Sequence, residues 1–276
     1  MLYTALKLTA ILAALWVLLS LYERRSVYPL DPARVDPAAL GLAHLREVTF
    51  EANGEMLVLW VSEPQPGKPV VLYFHGNAGN LANRAERFAR LTAQGYGLVA
   101  MAYRGSGGST GKPSERAITA DATALYDRIS EVLPGIDVRQ LVLYGESLGS
   151  GVVARLVALR AGRQPSAVVL EAPYTSIPDV ARHHMPWTAA LSWKMTNRWD
   201  TAEHIQALRA PLLILHGDRD PVIPFAQGQS VFDRADSSDK QWLPVRGGGH
   251  DDLWRESTLA ALWDFIDTRH PLSSGE

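Results

Sequence analysis

A serine lies between two glycines in the segment Gly145-Glu146-Ser147-Leu148-Gly149, which has the pattern G-x-S-x-G. The apolar run before it, residues 141–144, is typical of a strand, and residues 150–160 have the pattern of a helix. Ser147 is therefore predicted at a strand-turn-helix corner, where glycines permit a tight turn and the serine oxygen projects clear of the sheet. Because the helix N-terminus offers N–H groups to a developing oxyanion, this corner suits nucleophilic acyl transfer.

A base and an acid for this serine occur later in the chain. A nucleophilic serine needs a base, usually histidine, and the base needs an orienting carboxylate. His250 follows three glycines just before the last predicted helix, and an ordinary imidazole, with a pKa of about 6.5, can take the serine proton near neutral pH. The residues alone leave the acid open among four aspartates: Asp218 and Asp220 after the apolar run 212–215, and Asp251 and Asp252 after the histidine.

With these motifs the chain resembles the α/β-hydrolase superfamily, and more narrowly its membrane-anchored serine hydrolases of the ABHD type. The resemblance covers residues 28–269. Besides residues 145–149 it rests on His75-Gly76-Asn77-Ala78-Gly79-Asn80, on residues 103–111 with Pro113-Ser114-Glu115, on Asp220 and on Gly249-His250. It implies that Ser147 is the nucleophile, Asp220 the acid and His250 the base.

The same resemblance assigns the oxyanion hole and marks two departures. It points to the backbone N–H groups of Leu148, directly after the nucleophile, and of Asn77, in the loop after a strand that ends at Phe74. Ala102 stands where the family usually carries Asp, and Ser106 stands where it usually has an aromatic residue. We expect both departures to alter the wall of the pocket without touching the triad.

Alternation of apolar runs with helical patterns predicts the fold class. Strand-like runs at residues 70–74, 98–102, 141–144, 167–170, 212–215 and 240–245 alternate with helical patterns, interrupted at residues 173–208, which indicates an α/β fold with a mostly parallel sheet covered by helices on both faces. Asn53-Gly54 is the preferred turn of a hairpin and predicts an antiparallel edge. The expectation is an α/β-hydrolase domain over residues 26–276.

A cap insertion is predicted at about residues 174–208, because this stretch is too long for a simple loop and lies where the superfamily inserts its cap. Four apolar residues in it are spaced by four and would form one stripe on a helix: Trp187, Leu191, Met195 and Trp199. Two interpretations stay open, a stripe packed onto the domain and an acyl-pocket wall or membrane-facing lid.

Residues 1–25 form an apolar segment that predicts a single-pass membrane anchor. Residues 8–22 carry no charge, and Lys7 can extend the stretch by snorkelling towards the interface. The alternatives are a cleaved signal peptide, which lacks a small-residue cleavage site here, and a helix folded onto the domain. Arg24 and Arg25 favour one side of the membrane for the catalytic domain and Lys7 the other, so the side stays open.

Composition excludes several classes of site. The chain of 276 residues has no cysteine, so disulfides, a catalytic thiol and thiolate metal sites are excluded. Its formal net charge of −2 gives no basic surplus for nucleic acid. The glycine-rich residues 104–111 lack the G-K-[ST] of a phosphate loop. We expect no cofactor, no metal and no nucleic-acid partner.

The expected function is a serine hydrolase that cleaves carboxylic esters or thioesters, lipid or acyl-chain substrates included, through an acyl-enzyme intermediate. The alternatives are a serine peptidase on the same fold and a catalytically degenerate, membrane-tethered binding module. The sequence leaves the physiological substrate and the oligomeric state open.

Overall fold

One sheet of eight strands organises the chain, for which a computed structural model describes residues 2–187 and 194–270. The spatial order of the strands is β1-β2-β4-β3-β5-β6-β7-β8. All pairs from β4 to β8 are parallel, whereas β1, β2 and β4 pair antiparallel. The strands are β1 (Arg46–Ala52), β2 (Glu55–Ser62), β3 (Val70–Phe74), β4 (Gly97–Met101), β5 (Leu141–Glu146), β6 (Ala167–Glu171), β7 (Leu212–Gly217) and β8 (Lys240–Val245).

Helices cover both faces of the sheet, which confirms the predicted fold class. The helices are α1 (Leu2–Val27), α2 (Ala85–Ala93), α3 (Glu115–Asp127), α4 (Ile129–Val132), α5 (Leu148–Leu159), α6 (Ile177–His184), α7 (Thr201–His204), α8 (Phe225–Arg234) and α9 (Glu256–Arg269). Alternate residues of each central strand enter different cores, because side chains alternate across a strand. In β3, Leu72 belongs to the core that includes residues of α3, α5 and α8, whereas Tyr73 belongs to the core that includes residues of α2 and α9.

The predicted hairpin at the antiparallel edge is confirmed. Ala52 pairs with Glu55 across a turn formed by Asn53 and Gly54. Their φ angles are 52° and 77°, as a two-residue turn of this type requires. This turn fixes the register of β1 on β2.

The N-terminal apolar segment forms a helix that ends in the domain core. Helix α1 spans Leu2–Val27, and Val27 and Tyr28 are buried among core residues. The earlier part of the helix exposes large apolar side chains, namely Tyr3, Leu6, Ile11, Trp16, Val17, Leu18, Leu19, Leu21 and Tyr22. Within the described residues, no helix has both the length and the apolarity needed to cross a membrane. The predicted transmembrane span is therefore not supported.

Between β6 and β7 the chain leaves the sheet and returns through α6 and α7, where the cap was predicted. Trp199 is fully buried in the core, whereas the side chain of Trp187 is 71% exposed. Met195 is half-buried and outside any helix, and Leu191 lies outside the described residues. The predicted one-face stripe is therefore wrong for these two tryptophans, because the chain near Trp199 is irregular and Trp199 itself has a φ of 44°.

A hydrogen-bond cluster, in which Tyr28 and Asn197 are buried, joins the end of α1 to the end of this insertion. The Glu23 carboxylate accepts the backbone N–H of Asn197 at 2.7 Å and its side-chain amide at 2.7 Å. The Asn197 Oδ1 atom accepts the Tyr28 hydroxyl at 2.9 Å and the Glu115 backbone N–H at 2.8 Å. Glu115 in turn accepts the backbone N–H of Trp199 at 2.9 Å. Asn197, together with the Thr196 N–H that also donates to Glu23 and the core packing of Val27, therefore connects the first helix to the domain.

We expect Asn197→Ala to destabilise the fold by about 1–3 kcal/mol, since the buried Tyr28 hydroxyl and the Glu115 backbone N–H lose their acceptor. Urea unfolding measures this change in the free energy of unfolding. Gln229→Ala is the matched control, because the Gln229 amide bonds only the exposed Asp233. Equal midpoints for the two variants would contradict the role of Asn197.

Candidate active site

Ser147 lies at a sharp corner between β5 and α5. Its φ of 48° is in the left-handed region, which a non-glycine residue adopts only where the surroundings impose it. Gly145 and Gly149 make this corner possible. A Cβ on Gly149 would lie 2.0 Å from the Phe74 carbonyl oxygen, and one on Gly145 would lie 2.6 Å from the Gly149 carbonyl oxygen. The Ser147 backbone N–H donates to the Glu171 carbonyl at 2.8 Å.

Three of the sequence-predicted residues meet at this corner. The Ser147 Oγ atom lies 3.0 Å from His250 Nε2, and His250 Nδ1 lies 2.7 Å from Asp220 Oδ2. An ionised carboxylate only accepts hydrogen bonds, so Nδ1 carries the proton and Nε2 is left to accept from the serine hydroxyl. The Asp220 side chain is fully buried, and that of His250 is 13% exposed.

The structure distinguishes the four aspartates among which the sequence left the choice of the acid open. Asp220 Oδ1 accepts the backbone N–H groups of Val222 and Ile223, both at 2.8 Å, which leaves Oδ2 for the imidazole. Asp218 instead accepts the Gly247 backbone N–H at 2.7 Å and ties the loop after β7 to the loop before His250. Asp252 accepts the Gly249 backbone N–H and pairs with Arg255, and Asp251 is exposed.

Asp220 and His250 shift each other's pKa. Burial alone would lower the pKa of His250, but its hydrogen bond to Asp220 and the negative charge there raise it above the usual value. Burial alone would raise the pKa of Asp220, but the hydrogen bond to His250 and the backbone N–H groups lower it. Asp220 therefore stays ionised where His250 titrates.

His216 is a second imidazole beside the buried carboxylate. Its Nε2 atom lies 3.5 Å from Asp220 Oδ2 and donates to the Ile223 carbonyl at 3.1 Å. Burial lowers the pKa of His216, so it is neutral and does not compete for the charge of Asp220. Gly228 permits this position, because a Cβ there would lie 2.1 Å from His216 Nδ1.

The two backbone groups predicted for an oxyanion hole lie on adjoining segments. Leu148 is the first residue of α5, so its N–H has no acceptor within the helix. Asn77 is half-buried in the loop after β3. The close contact of Gly149 with the Phe74 carbonyl brings the start of α5 against the beginning of that loop. This placement is compatible with two donors on one side of Ser147.

The two departures from the family pattern, Ala102 and Ser106, are both buried. The Ser106 hydroxyl donates to the Gly79 carbonyl at 3.1 Å, so it supports the loop after β3. Among the described residues, the hydrogen bonds of Ala102 and Ser106 do not involve the triad.

Behind Ser147 lies a buried charge cluster that sequence reasoning missed. Arg84 donates to Glu146 at 2.8 and 3.1 Å, and Arg87 donates to Glu171 at 2.5 Å. Although burial opposes ionisation, the charges of Arg84 and Arg87 lower the pKa of Glu146 to about 2. The sequence carried one signal for this cluster. Glu146 and Glu171 are each the last residue of a buried strand, where an unpaired charge would be costly.

The insertion contacts the edge of the site. The His184 imidazole at the end of α6 lies 2.7 Å from the Val222 carbonyl, in the turn that Asp220 caps. The Thr175 backbone N–H donates to the Gln227 side chain at 3.2 Å. The predicted lid residues Trp187 and Met195 lie further along the same insertion, whereas Trp199 belongs to the core.

An open groove of about 930 Å³ lies elsewhere, between α3, α5 and α7. Its lining carries charges of both signs, including Arg116, Arg155, Asp127 and Glu203, and none of the three residues at the Ser147 corner. In the described part of the chain, no group of three or more His, Asp or Glu side chains is placed to hold a metal ion.

Comparisons with known proteins identify the family of the chain. The Hydrolase_4 family profile, described as serine aminopeptidase S33, matches residues 65–203 and 195–257. The lysophosphatidylserine lipase ABHD12 of Danio rerio is 33% identical over 233 residues, which cover 75% of this chain and 60% of that protein. This chain therefore spans less than two thirds of that relative.

Solved structures share the fold at low sequence identity. An esterase of Pyrococcus furiosus, Pf2001, superposes with a TM-score of 0.70 at 17% identity and covers 88% of this chain and 97% of its own. A bacterial membrane phospholipase A superposes with a TM-score of 0.62 at 19% identity, and the match covers 98% of this chain and 100% of that one. Because the family profile matches more than half of the chain, the protein belongs to the Hydrolase_4 family of α/β-hydrolases and is of the ABHD type.

Proposed function

We propose that the protein is a serine hydrolase that cleaves the carboxylic ester of a lipid, with Ser147 as nucleophile, His250 as general base and acid, and Asp220 as the orienting carboxylate. The observation that carries the proposal is the continuous hydrogen-bond chain Ser147 Oγ, His250, Asp220 at 3.0 and 2.7 Å. It has the geometry of an activated nucleophile whose base is held by a third group.

In the proposed reaction, Ser147 Oγ attacks the ester carbonyl carbon while His250 Nε2 takes the hydroxyl proton. The backbone N–H groups of Leu148 and Asn77 stabilise the oxyanion that forms. The tetrahedral intermediate collapses, the ester C–O bond breaks, and the leaving alcohol takes the proton from His250. Water then attacks the acyl-enzyme with His250 again as base, which releases the carboxylic acid and restores Ser147.

A lipid ester is the substrate class that two observations support. The ABHD12 relative is a lysophosphatidylserine lipase by name, and the first helix of this chain exposes a band of large apolar side chains. An exposed apolar surface of this extent favours contact with lipid. We therefore propose that α1 attaches the domain to a bilayer.

We also propose how the chain is divided into functional parts. We propose that residues 2–27 are the lipid-contacting element and that the rest of the chain is one hydrolase domain. Within it, residues 175–198 are proposed as the cap, since α6 contacts the turn at Asp220 through His184. In this proposal residues 199–208 are assigned to the core rather than to the cap, because Trp199, Ile205 and Leu208 are buried there.

Ser147→Ala is expected to lower kcat for p-nitrophenyl butyrate and for lysophosphatidylserine by roughly a thousandfold or more, because the nucleophile is removed. Fluorophosphonate labelling should disappear in the same variant. Ser150→Ala is the matched control, since that hydroxyl bonds only the Ser147 carbonyl. If the wild-type protein hydrolysed aminoacyl p-nitroanilides and neither ester, a peptidase would replace the proposed lipase.

The pH dependence of kcat/KM should show an acidic limb above pH 6.5, because Asp220 raises the pKa of His250 and only the neutral imidazole accepts the serine proton. Activity is therefore lost as the pH falls through the pKa of His250. Asp220→Asn removes the charge and is expected to move this limb to lower pH while kcat falls by roughly 10⁴-fold. An unchanged limb in a folded, active variant would contradict the assignment of Asp220.

The double substitution Leu18→Asp with Leu19→Asp should weaken binding to phosphatidylcholine vesicles by about 100-fold or more, since each buried leucine contributes about 1.5–3 kcal/mol. Co-sedimentation measures binding, and hydrolysis of p-nitrophenyl butyrate should be unchanged. Leu159→Asp, an exposed leucine outside α1, is the control. Equal binding of both variants would exclude α1 as the lipid contact.

A further inference from the structure

We propose that Glu171 and Trp254 are positioning residues that hold the loop of His250 against the Ser147 corner, an inference that rests on the proposed hydrolase function. Neither residue lies in the G-x-S-x-G segment or in the triad. Together they connect the two segments between which the proton must move.

Glu171 contacts both segments at once. Its backbone carbonyl accepts the Ser147 N–H at 2.8 Å, and its side chain accepts the Trp254 Nε1–H at 3.0 Å. Trp254 lies four residues after His250, in the loop that precedes α9. A single residue at the end of β6 therefore bonds the nucleophile with its backbone and the histidine loop with its carboxylate.

The carboxylate of Glu171 is rigidly held. Its Oε2 atom accepts Arg87 Nη1 and the Tyr144 hydroxyl, both at 2.5 Å, in addition to the indole. The Glu171 side chain is 1% exposed, and its Oε1 atom has no hydrogen-bond partner among the described residues. Because three donors converge on one oxygen, the position of the indole is fixed relative to β5 and β6.

The indole is also held by its ring. Trp254 packs against Tyr144 at a centroid distance of 6.0 Å, and the Arg87 guanidinium lies 5.2 Å from its ring. The histidine loop has other supports, at Asp218 on Gly247 and at Arg255 on the Arg246 carbonyl. These act near the exposed side of the loop, whereas Trp254 is its connection to the buried cluster.

The carboxylate acts on His250 electrostatically as well as through the loop. The charged and titratable groups facing His250 are Asp220, Asp251, Glu171 and His216. The negative charge of Glu171 favours the protonated imidazole. We expect removal of that charge to move the acidic limb of activity to lower pH.

Trp254→Phe keeps the ring and removes the indole N–H. We expect kcat for p-nitrophenyl butyrate and the rate of fluorophosphonate labelling to fall by about 10- to 100-fold with KM unchanged, because small misplacements of a catalytic group have costs of this size. Trp263→Phe is the matched control, since Trp263 contacts the same indole edge-on at 5.9 Å without bonding Glu171. Circular dichroism at the assay temperature verifies that both variants are folded.

Glu171→Gln keeps the shape of the side chain and removes its charge, and the acidic limb of its labelling rate should lie below that of the wild type. If Glu171→Gln does not fold, Trp254→Phe alone tests the proposal. Wild-type kcat and labelling rate in folded Trp254→Phe would overturn the proposal. A wild-type protein that fluorophosphonate never labels would instead overturn the hydrolase function itself, so the two failures are distinguishable.

Discussion

The site depends on one close approach, that of the first turn of α5 to the end of β3. A Cβ on Gly149 would lie 2.0 Å from the Phe74 carbonyl, so only glycine lets the helix begin there. Ser147, directly before this turn, has a positive φ, and the helix N-terminus lies beside the loop that carries Asn77. Strain at one residue is thus stabilised by packing of the surrounding sheet, as is common where reacting groups are held.

Much of this arrangement was readable from the sequence, because apolar strands and glycine turns have strong local signals. The hairpin at Asn53 and the corner at Ser147 were predicted from such signals and occur in the structure. The choice between Asp218 and Asp220 needed family resemblance, since both lie on one short loop. Only the fold, which turns Asp220 towards His250 and Asp218 towards Gly247, distinguishes them geometrically.

What the sequence could not supply are contacts between distant segments. Spacing by four suggested a helical stripe, but the insertion near Trp199 is organised by hydrogen bonds to Glu115 and Tyr28, more than seventy positions away. Likewise Arg87 lies on an amphipathic helix whose polar face reads as solvent-exposed. Its ion pair with Glu171 becomes evident only in the fold, where α2 covers the sheet that contains β6.

The buried charges oppose separation of the elements that carry them. Truncating one member of a buried ion pair leaves the other uncompensated, at a cost of about 3–5 kcal/mol, so Arg87 and Glu171 resist separation. The insertion is attached at two separate places. The end of α6 meets the turn at Asp220 through His184, and the end of the insertion meets α1 through Glu23 and Asn197. A displacement of α1 from the domain must break the bonds of Glu23, whereas the bonds of Glu115 to Arg198 and Trp199 and the charge cluster behind Ser147 do not involve α1.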